Sequence, residues 1–220
     1  IVIPNEFQPI AKKNIGITAG IEHTIPPATW VEGTNRMDMT IFTSEFSKKS
    51  FEEINYDKKD NRTGQIVTQL KMNKPSDVLF EGADPEIYKE TKVISEDLKN
   101  KFEKIDNDFC FLFVGHWLQG NMGEDRKDVG MMLKVFLETF KNQKNAPALI
   151  MKTSSAGFSI LDRRQILEKI ETIKSDVKAD TIPDVYLLHG DLTDEEMNQM
   201  YNHPKVKAHL TFTHGEGFGR

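Results

Sequence analysis

From residue 109 to the end of the chain, short apolar runs alternate with amphipathic stretches, a pattern typical of alternating strands and helices. The run 109–114 is apolar throughout, as expected for a strand that is covered on both faces. Three later runs have a similar length and character. The predicted strands are therefore 109–114, 148–151, 184–188 and 206–213.

The stretches between these runs carry apolar side chains at spacings of three and four, which places them on one face of a helix. The first such stripe predicts a helix over 128–141, and it comprises Val129, Met132, Leu133, Phe136 and Phe140. A similar stripe predicts a helix over 162–174. Thr193 and Glu196 have the spacing of a capping box, so a third helix is predicted to begin there.

Four strands separated by three helices require right-handed crossovers and a mostly parallel sheet. We therefore predict an α/β fold with a Rossmann-like sheet in the second half of the chain. Ligands of such sheets bind beyond the carboxyl ends of the strands. The loops that follow Val114, Met151, Leu188 and Thr213 are expected to share that edge, so a site is expected among them.

Signals in the first hundred residues are weaker but of the same kind. The predicted elements are strands at 15–18, 37–42 and 77–80, a helix through Trp30 and Val31, and helices over 45–54 and 95–104. Ser44 precedes the second of these helices as a plausible N-cap. We interpret the charged, glycine-containing segment 56–64 as an exposed loop and 81–85 as a turn. This half therefore looks like the closing elements of another α/β unit.

Composition argues against several classes of function. A net charge of −5 provides no basic field for nucleic acid, so no nucleic-acid partner is expected. No apolar stretch approaches the roughly 18 residues of a membrane-spanning helix. Cys110, the only cysteine, excludes an intramolecular disulfide, and its apolar run predicts a buried strand residue. A reducing, cytoplasmic location is expected. Because the chain begins at Ile1, we expect the native N-terminus to be missing.

Several phrases, taken in order, resemble segments of the retaining glycosyltransferases of family 4, which have the two-domain GT-B architecture. Trp30 with Asn35, followed by the segment 38–47, resembles the end of the N-terminal domain in that family. The segment 82–88 is similar to the turn "G-V-D-x-x-x-F" that precedes the C-terminal domain.

The remaining phrases of this resemblance fall in the C-terminal half. Segment 111–115, with 126–128 further on, resembles the first strand and phosphate loop of the C-terminal domain. Segments 188–190 and 192–197 are similar to the family pattern "G-x-L-s-x-e-e-m". The segment 214–219, His-Gly-Glu-Gly-Phe-Gly, matches the donor-loop signature closely. The ordered set spans nearly the whole chain.

The resemblance implies that residues 1–90 are the end of the N-terminal, acceptor-side Rossmann-like domain with the interdomain linker. Residues 91–220 are then the C-terminal nucleotide-sugar-binding domain, incomplete at its C-terminus, so the chain is expected to be truncated at both ends. The implied reaction transfers a sugar from a nucleotide-sugar donor, with retention at the anomeric carbon and without a metal or another cofactor. We expect a UDP- or GDP-linked donor, leave a glycan, lipid or protein acceptor open, and expect little or no activity of the 220 residues alone.

The matching residues suit this chemistry, because the donor leaves as a diphosphate and negative charge grows on its β-phosphate. Lys127 can supply a positive charge close to the start of a helix, whose free N–H groups add to it. Gly217 and Gly219 lack a Cβ, so their backbone can approach a phosphate closely. The resemblance implies that Glu216 contacts the hydroxyl groups of the donor sugar. Glu216 and Lys127 are thus the candidate catalytic residues.

The resemblance extends the candidate donor site to nine further residues. These are Gly115, His116, Arg126, Gly190, Leu192, His214, Gly217, Phe218 and Gly219. His116 occupies a position where the family often has an arginine, and near pH 7 it is mostly neutral. His23 is a candidate on the acceptor side, with a surface or turn histidine as the alternative. His189, His203 and His209 show no metal-ligand spacing, so no metal site is expected.

Two other classes of function remain open at this point. One is another GT-B enzyme, such as a nucleotide-sugar epimerase or a sugar phosphorylase, although no segment suggests the pyridoxal-phosphate lysine that a phosphorylase needs. The other is a non-catalytic α/β module that binds a nucleotide sugar. If the loops 115–127 and 214–219 do not converge, the remaining interpretation is an α/β scaffold without a nucleotide site.

Overall fold

The computed structural model describes residues 3–20, 23–60, 62–118, 122–155 and 157–215. These residues form two compact units: the first contains the residues up to Ala83 together with Gly215, and the second is Asp84–His214. Each unit contains a parallel sheet with helices, so the predicted mixed α/β, Rossmann-like fold is confirmed. Within the described ranges, no helix has the length and apolar character needed to cross a membrane.

The first unit opens with a short 3-10 helix and then combines two sheets. Its elements are β1 (Ile15–Thr18), α1 (Ala28–Asn35), β2 (Met39–Phe42), α2 (Glu45–Glu53), β3 (Tyr56–Lys59), β4 (Ile66–Leu70) and β5 (Ser76–Val78). A three-stranded parallel sheet has the order β1-β2-β5. Ser44 caps α2 as predicted, because its hydroxyl oxygen accepts a hydrogen bond from the Ser47 N–H at 3.1 Å. Val31, Phe42 and Phe51 form the fully buried core.

The prediction of a loop over 56–64 is wrong, since β3 occupies its first part and pairs antiparallel with β4. Most side chains of both strands are exposed, so neither strand shows the apolar alternation that identifies a half-buried strand. The Asp60 carboxylate holds the turn instead by accepting hydrogen bonds from the N–H groups of Arg62 and Thr63. These two bonds also lower the pKa of the Asp60 carboxyl group.

The second unit is a single four-stranded parallel sheet covered by helices. Its elements are α3 (Glu96–Phe102), β6 (Cys110–His116), α4 (Val129–Phe140), β7 (Ala148–Ser154), α5 (Ile160–Asp176), β8 (Val185–Leu188), α6 (Asp194–Tyr201) and β9 (Val206–His209). The strand order is β8-β7-β6-β9, with every neighbouring pair parallel. The predicted strands are therefore confirmed, although β9 ends at His209 rather than at 213.

Alternating side chains of the central strands supply two separate cores. Phe113 and Met151 face α4 and α5, whereas Leu112 and Ile150 face α3 and α6. Because both faces are covered, β7 is buried along its whole length. Cys110 is fully buried in the second core, as predicted, and this burial raises the pKa of its thiol.

The order of the strands contains a reversal. From β6 the chain moves outward to β7 and then to β8, and it returns to place β9 on the other side of β6. The connection that starts at β6 therefore runs towards β7, whereas the connection that ends at β9 runs to the other side of β6. The direction of the connections reverses between β6 and β9. In open α/β sheets, ligands bind in the crevice that such a reversal creates at the carboxyl edge.

Candidate functional site

The Lys127 side chain lies beside the carboxyl end of β6. Its Cδ atom is 3.8 Å from the point that a Cβ on Gly115 would occupy, and the Phe113 ring is 3.1 Å from that point. A Cβ at position 115 would therefore press against the Phe113 ring, whereas its distance from the Lys127 stem is an ordinary van der Waals contact.

Hydrogen bonds within the loop before α4 fix the position of Lys127. The Asp128 carboxylate accepts from the Gly123 N–H at 2.9 Å, and the Asp128 N–H donates to the Asp125 carbonyl at 2.9 Å. Asp128 adopts a left-handed backbone conformation with φ 45°, and its side chain does not cap α4. The first turn of α4 therefore contributes uncapped N–H groups and a partial positive charge next to Lys127.

The segment that follows β9 reaches the same loop. The His214 N–H donates to the Arg126 carbonyl at 2.9 Å, and the Thr213 hydroxyl donates to the same oxygen at 3.3 Å. The His214 Nε2 lies 3.5 Å from the Asp128 Oδ2. Burial, and secondarily the charge of Lys127, lower the pKa of His209 at the end of β9. Arg126, Lys127 and His214 are thus brought together at the topological reversal.

Four predicted site residues cannot be placed relative to this loop. Glu216, Gly217, Phe218 and Gly219 lie outside the described residues, so the geometry between Glu216 and Lys127 stays a prediction.

Two buried side-chain oxygens at this edge have no hydrogen-bond partner within the described parts of the chain: Thr153 Oγ1 and Asp125 Oδ2. Thr153 is the register partner of Gly115, and Asp125 precedes Lys127 by two residues. An unpaired buried polar group costs about 1–3 kcal/mol, and such groups are commonly satisfied by water or a bound ligand. Asp125 also lines a cavity of about 510 Å³ between α4 and α5, together with Trp117 and Gln165.

A second polar cluster lies at the ends of β7 and β8, and sequence reasoning missed it. Asp162, in the first turn of α5, accepts a hydrogen bond from the Ser155 N–H at 3.1 Å and also contacts the Ser155 hydroxyl. The His189 Nε2 lies 2.7 Å from the Asp162 Oδ2, and both side chains are buried. The network therefore joins the start of α5 to the end of β8.

Lys152 belongs to the same region. Its side chain is only 8% exposed, and its Nζ donates to the Gly190 carbonyl at 2.5 Å. The Nζ also lies 4.9 Å from the centre of the Phe158 ring. Burial lowers the pKa of Lys152, an effect that Asp191 partly opposes. The signal for it in the sequence is a lysine directly after the apolar run 148–151, where the predicted strand ends.

The remaining predicted residues have individual environments. His116 is exposed at the end of β6, and its Nδ1 lies 3.2 Å from the Ser154 Oγ. Gly190 has φ +131°, and Leu192 is half-buried against the core formed with α3 and α6. His23 lies in the first unit, where it is exposed and packs edge-on against Trp30 with 5.1 Å between ring centres.

Among the residues that the structure describes, no group of three or more histidine, cysteine, aspartate or glutamate side chains could hold a metal ion. Asp106 and Asp108 have the spacing of a metal-binding Asp-x-Asp pair. They precede β6, however, and so they lie at the amino edge of the sheet, opposite the Lys127 loop.

No protein-family model matches the sequence, and no protein of curated function is significantly similar to it. Several solved structures share its fold. These include apo OtsA (14% identity, TM-score 0.54), the E. coli structure described as trehalose-6-phosphate bound with UDP-2-fluoro glucose (15%, 0.52) and trehalose-6-phosphate synthase OtsA (13%, 0.51). Each match covers 86% of this chain but only 42–43% of the other chain. The chain therefore shares the GT-B fold of these structures, and it spans less than half of their length.

Proposed function

We propose that this chain carries the donor-binding part of a glycosyltransferase that moves a sugar from a nucleotide sugar to an acceptor. The proposal includes membership of family 4, retention at the anomeric carbon and the absence of a metal or other cofactor. Its fold is shared with an OtsA structure, and another similar structure is described as bound with UDP-2-fluoro glucose. We assign no residue of the described site to binding of the acceptor. A glycan, a lipid and a protein therefore all stay open as acceptors.

The observation that carries the proposal is the meeting of two loops at the topological reversal of the sheet. The Lys127 side chain lies beside Gly115, and the backbone of Arg126 binds the segment that contains His214. A crevice at this position, with a cationic side chain and the uncapped start of α4, favours an anionic ligand. A diphosphate provides the required charge.

In the proposed mechanism, Lys127 and the first turn of α4 stabilise the negative charge that grows on the β-phosphate as the glycosidic bond breaks. Electrostatic groups that are already in place stabilise such a charge without reorganising at the moment of reaction. Gly217 and Gly219 would add backbone N–H donors, and Glu216 would accept hydrogen bonds from the donor sugar. His116, whose Nδ1 lies 3.2 Å from the Ser154 Oγ, would then serve as a polar neighbour.

Isothermal titration of the 220-residue chain with UDP and GDP tests the donor site directly. We expect saturable binding of at least one of them and weaker binding of the corresponding nucleoside, which lacks the diphosphate. Incubation of the full-length protein with a panel of nucleotide sugars then separates the enzymatic alternatives by product: free sugar or transferred sugar for a transferase and an epimerised nucleotide sugar for an epimerase. Absence of binding to both nucleotides would contradict the proposal and leave only a scaffold.

A further inference from the structure

We infer that the free side of β8 is a docking site for an acidic peptide segment of a partner protein, which binds there as an added strand. The inference is independent of the proposed donor site, because it uses the edge strand of the sheet rather than the Lys127 loop beside β6. It combines two observations: backbone groups of β8 that point away from the sheet, and a basic cavity beside them.

The backbone of β8 has one side without a neighbouring strand among the described residues, since β8 ends the order β8-β7-β6-β9. The Leu149 N–H of β7 donates to the Asp184 carbonyl at 2.9 Å, and Leu149 is the register partner of Val185. In a parallel ladder this pattern directs the N–H and C=O groups of Tyr186 towards β7 and those of Val185 and Leu187 towards the free side. Each of the latter two residues therefore offers one donor and one acceptor to an added strand.

A cavity of about 280 Å³ lies on this free side. Three consecutive residues of β8, at 186–188, line it, and their side chains alternate between the two faces of the sheet. Its other walls include the end of α3 and the first turn of α5, and these two helices cover opposite faces. A cavity that contacts both helical layers and the edge strand between them extends around the edge of the sheet. It therefore lies where an added strand would lie.

The charged side chains that line this cavity are all basic. Lys101 and Lys104 come from the side of α3 and Arg163 comes from α5, while no acidic side chain of the described residues lines it. Lys101 pairs with Asp97, whereas Lys104 and Arg163 are exposed and have no ion pair within the described parts of the chain. Because the whole chain has a net charge of −5, this basic lining is a local feature. It favours a partner that carries negative charge.

An extended peptide uses the backbone and the side chains of this surface together. In such complexes the main-chain hydrogen bonds supply affinity, and the alternating side chains supply specificity. Acidic side chains on the two faces of the added strand can reach Lys104 on one face and Arg163 on the other. Ile105, Tyr186 and Leu188 add an apolar surface for the aliphatic parts of the peptide. A small free anion would use only the charges.

The test is a fluorescence-polarisation titration of the wild-type chain with a fluorescein-labelled peptide that repeats Glu-Glu-Val-Val twice. This peptide places glutamate on both faces of a strand, and we expect saturable binding that weakens as salt is added. A Glu-Glu-Pro-Pro repeat has the same charge but lacks N–H donors on both of its edges, so it should bind at least about tenfold more weakly. A Lys-Lys-Val-Val repeat should show no binding, because its charge is reversed.

Two variants on α5 test the charge. Arg163→Glu places a negative charge in the cavity and should weaken binding of the Glu-Glu-Val-Val peptide by roughly fivefold to tenfold. Arg164→Glu makes the same change at the next position of the helix, which is exposed and does not line the cavity. This matched control should change the affinity by less than about twofold.

Three results would overturn the inference. The first is the absence of saturable binding of the Glu-Glu-Val-Val peptide. The second is equal affinity for the Glu-Glu-Pro-Pro peptide, which would mean that the cavity binds negative charge without an added strand. The third is a dimer in analytical ultracentrifugation that competes with the peptide, which would place a second copy of this chain at β8. The peptides are compared on the wild-type chain, so the outcome does not depend on the folding of a variant or on nucleotide binding.

Discussion

The Asp162 carboxylate and the His189 imidazole lie 2.7 Å apart in a buried environment and connect α5 to the end of β8. Asp162 also accepts from the backbone N–H of Ser155, so one side chain holds three segments of the carboxyl edge together. Because this edge carries the proposed donor site, the network matters for the geometry of the site as well as for stability.

Replacing Asp162 by alanine is expected to lower the free energy of unfolding by on the order of 3 kcal/mol, since it leaves His189 and the Ser155 N–H buried without their acceptor. Urea unfolding followed by circular dichroism measures the change. Asp176→Ala removes a carboxylate from the exposed end of the same helix and serves as the control, with a change below about 0.5 kcal/mol. Equal stability of the two variants would show that the buried network is dispensable.

The Asp162–His189 contact also shows what the sequence could not predict. The two residues are 27 positions apart and belong to different predicted elements, with no motif linking them. Apolar periodicity predicted the strands of the second unit and the order of its helices, because both faces of that sheet are covered. The meeting of the Gly115 and His214 loops followed from the parallel topology alone. Lys152 was missed because a charged residue after an apolar run resembles the end of a strand.

The hairpin of β3 and β4 was missed for a different physical reason. Its ladder is held by backbone hydrogen bonds and an aspartate-centred turn, and neither contributes a periodic apolar pattern. The most specific motif of the sequence is 214–219, and the contacts of its last four residues, which lie outside the described part of the chain, stay a prediction. The sequence thus predicted which loops form the candidate site. It did not predict the buried polar contacts that fix those loops, because these contacts depend on how the elements pack.

Gly190→Ala tests the backbone conformation that presents the Gly190 carbonyl to Lys152. A Cβ at this position would meet no atom within 4 Å, so its cost arises from φ +131°, which side chains rarely adopt. We expect a loss of stability of about 1–3 kcal/mol in thermal or urea unfolding. Gly82→Ala is the matched control, since a Cβ there also meets nothing and the backbone has no positive φ. A similar effect of the two substitutions would exclude strain as the cause.

His203 should make stability depend on pH in the acidic range. Burial, and then the neighbouring charge of Lys205, lower its pKa below the model-compound value of 6.5, and its ring stacks on Phe102 with centres 3.8 Å apart. Between 6.5 and that lower pKa, the unfolded chain binds a proton that the folded chain does not. The contribution of His203 to stability is therefore complete above pH 6.5 and falls as the pH decreases through this window.

The comparison of wild type with His203→Phe isolates this effect, because phenylalanine keeps an aromatic ring on Phe102 and cannot titrate. We expect the stability of wild type relative to the variant to decrease from pH 7 to pH 5 in urea titrations. A difference that stays constant over this range would show that the folded and unfolded states bind the proton equally.

Lys127→Met probes the donor site most directly. If Lys127 contacts the diphosphate, its loss should weaken UDP binding by roughly tenfold to a hundredfold, as expected for removal of a charge-assisted hydrogen bond.

Uridine has no phosphate, so its affinity should change little, and this difference separates a lost charge from a damaged fold. Lys144→Met, at an exposed position near the amino edge of the sheet, controls for removal of a lysine far from the site. Increasing salt should weaken UDP binding to wild type more than to Lys127→Met, because screening acts on the charge that the variant lacks. Equal losses of UDP and uridine affinity would instead place Lys127 among residues that only support the loop, and the diphosphate would need another binding group.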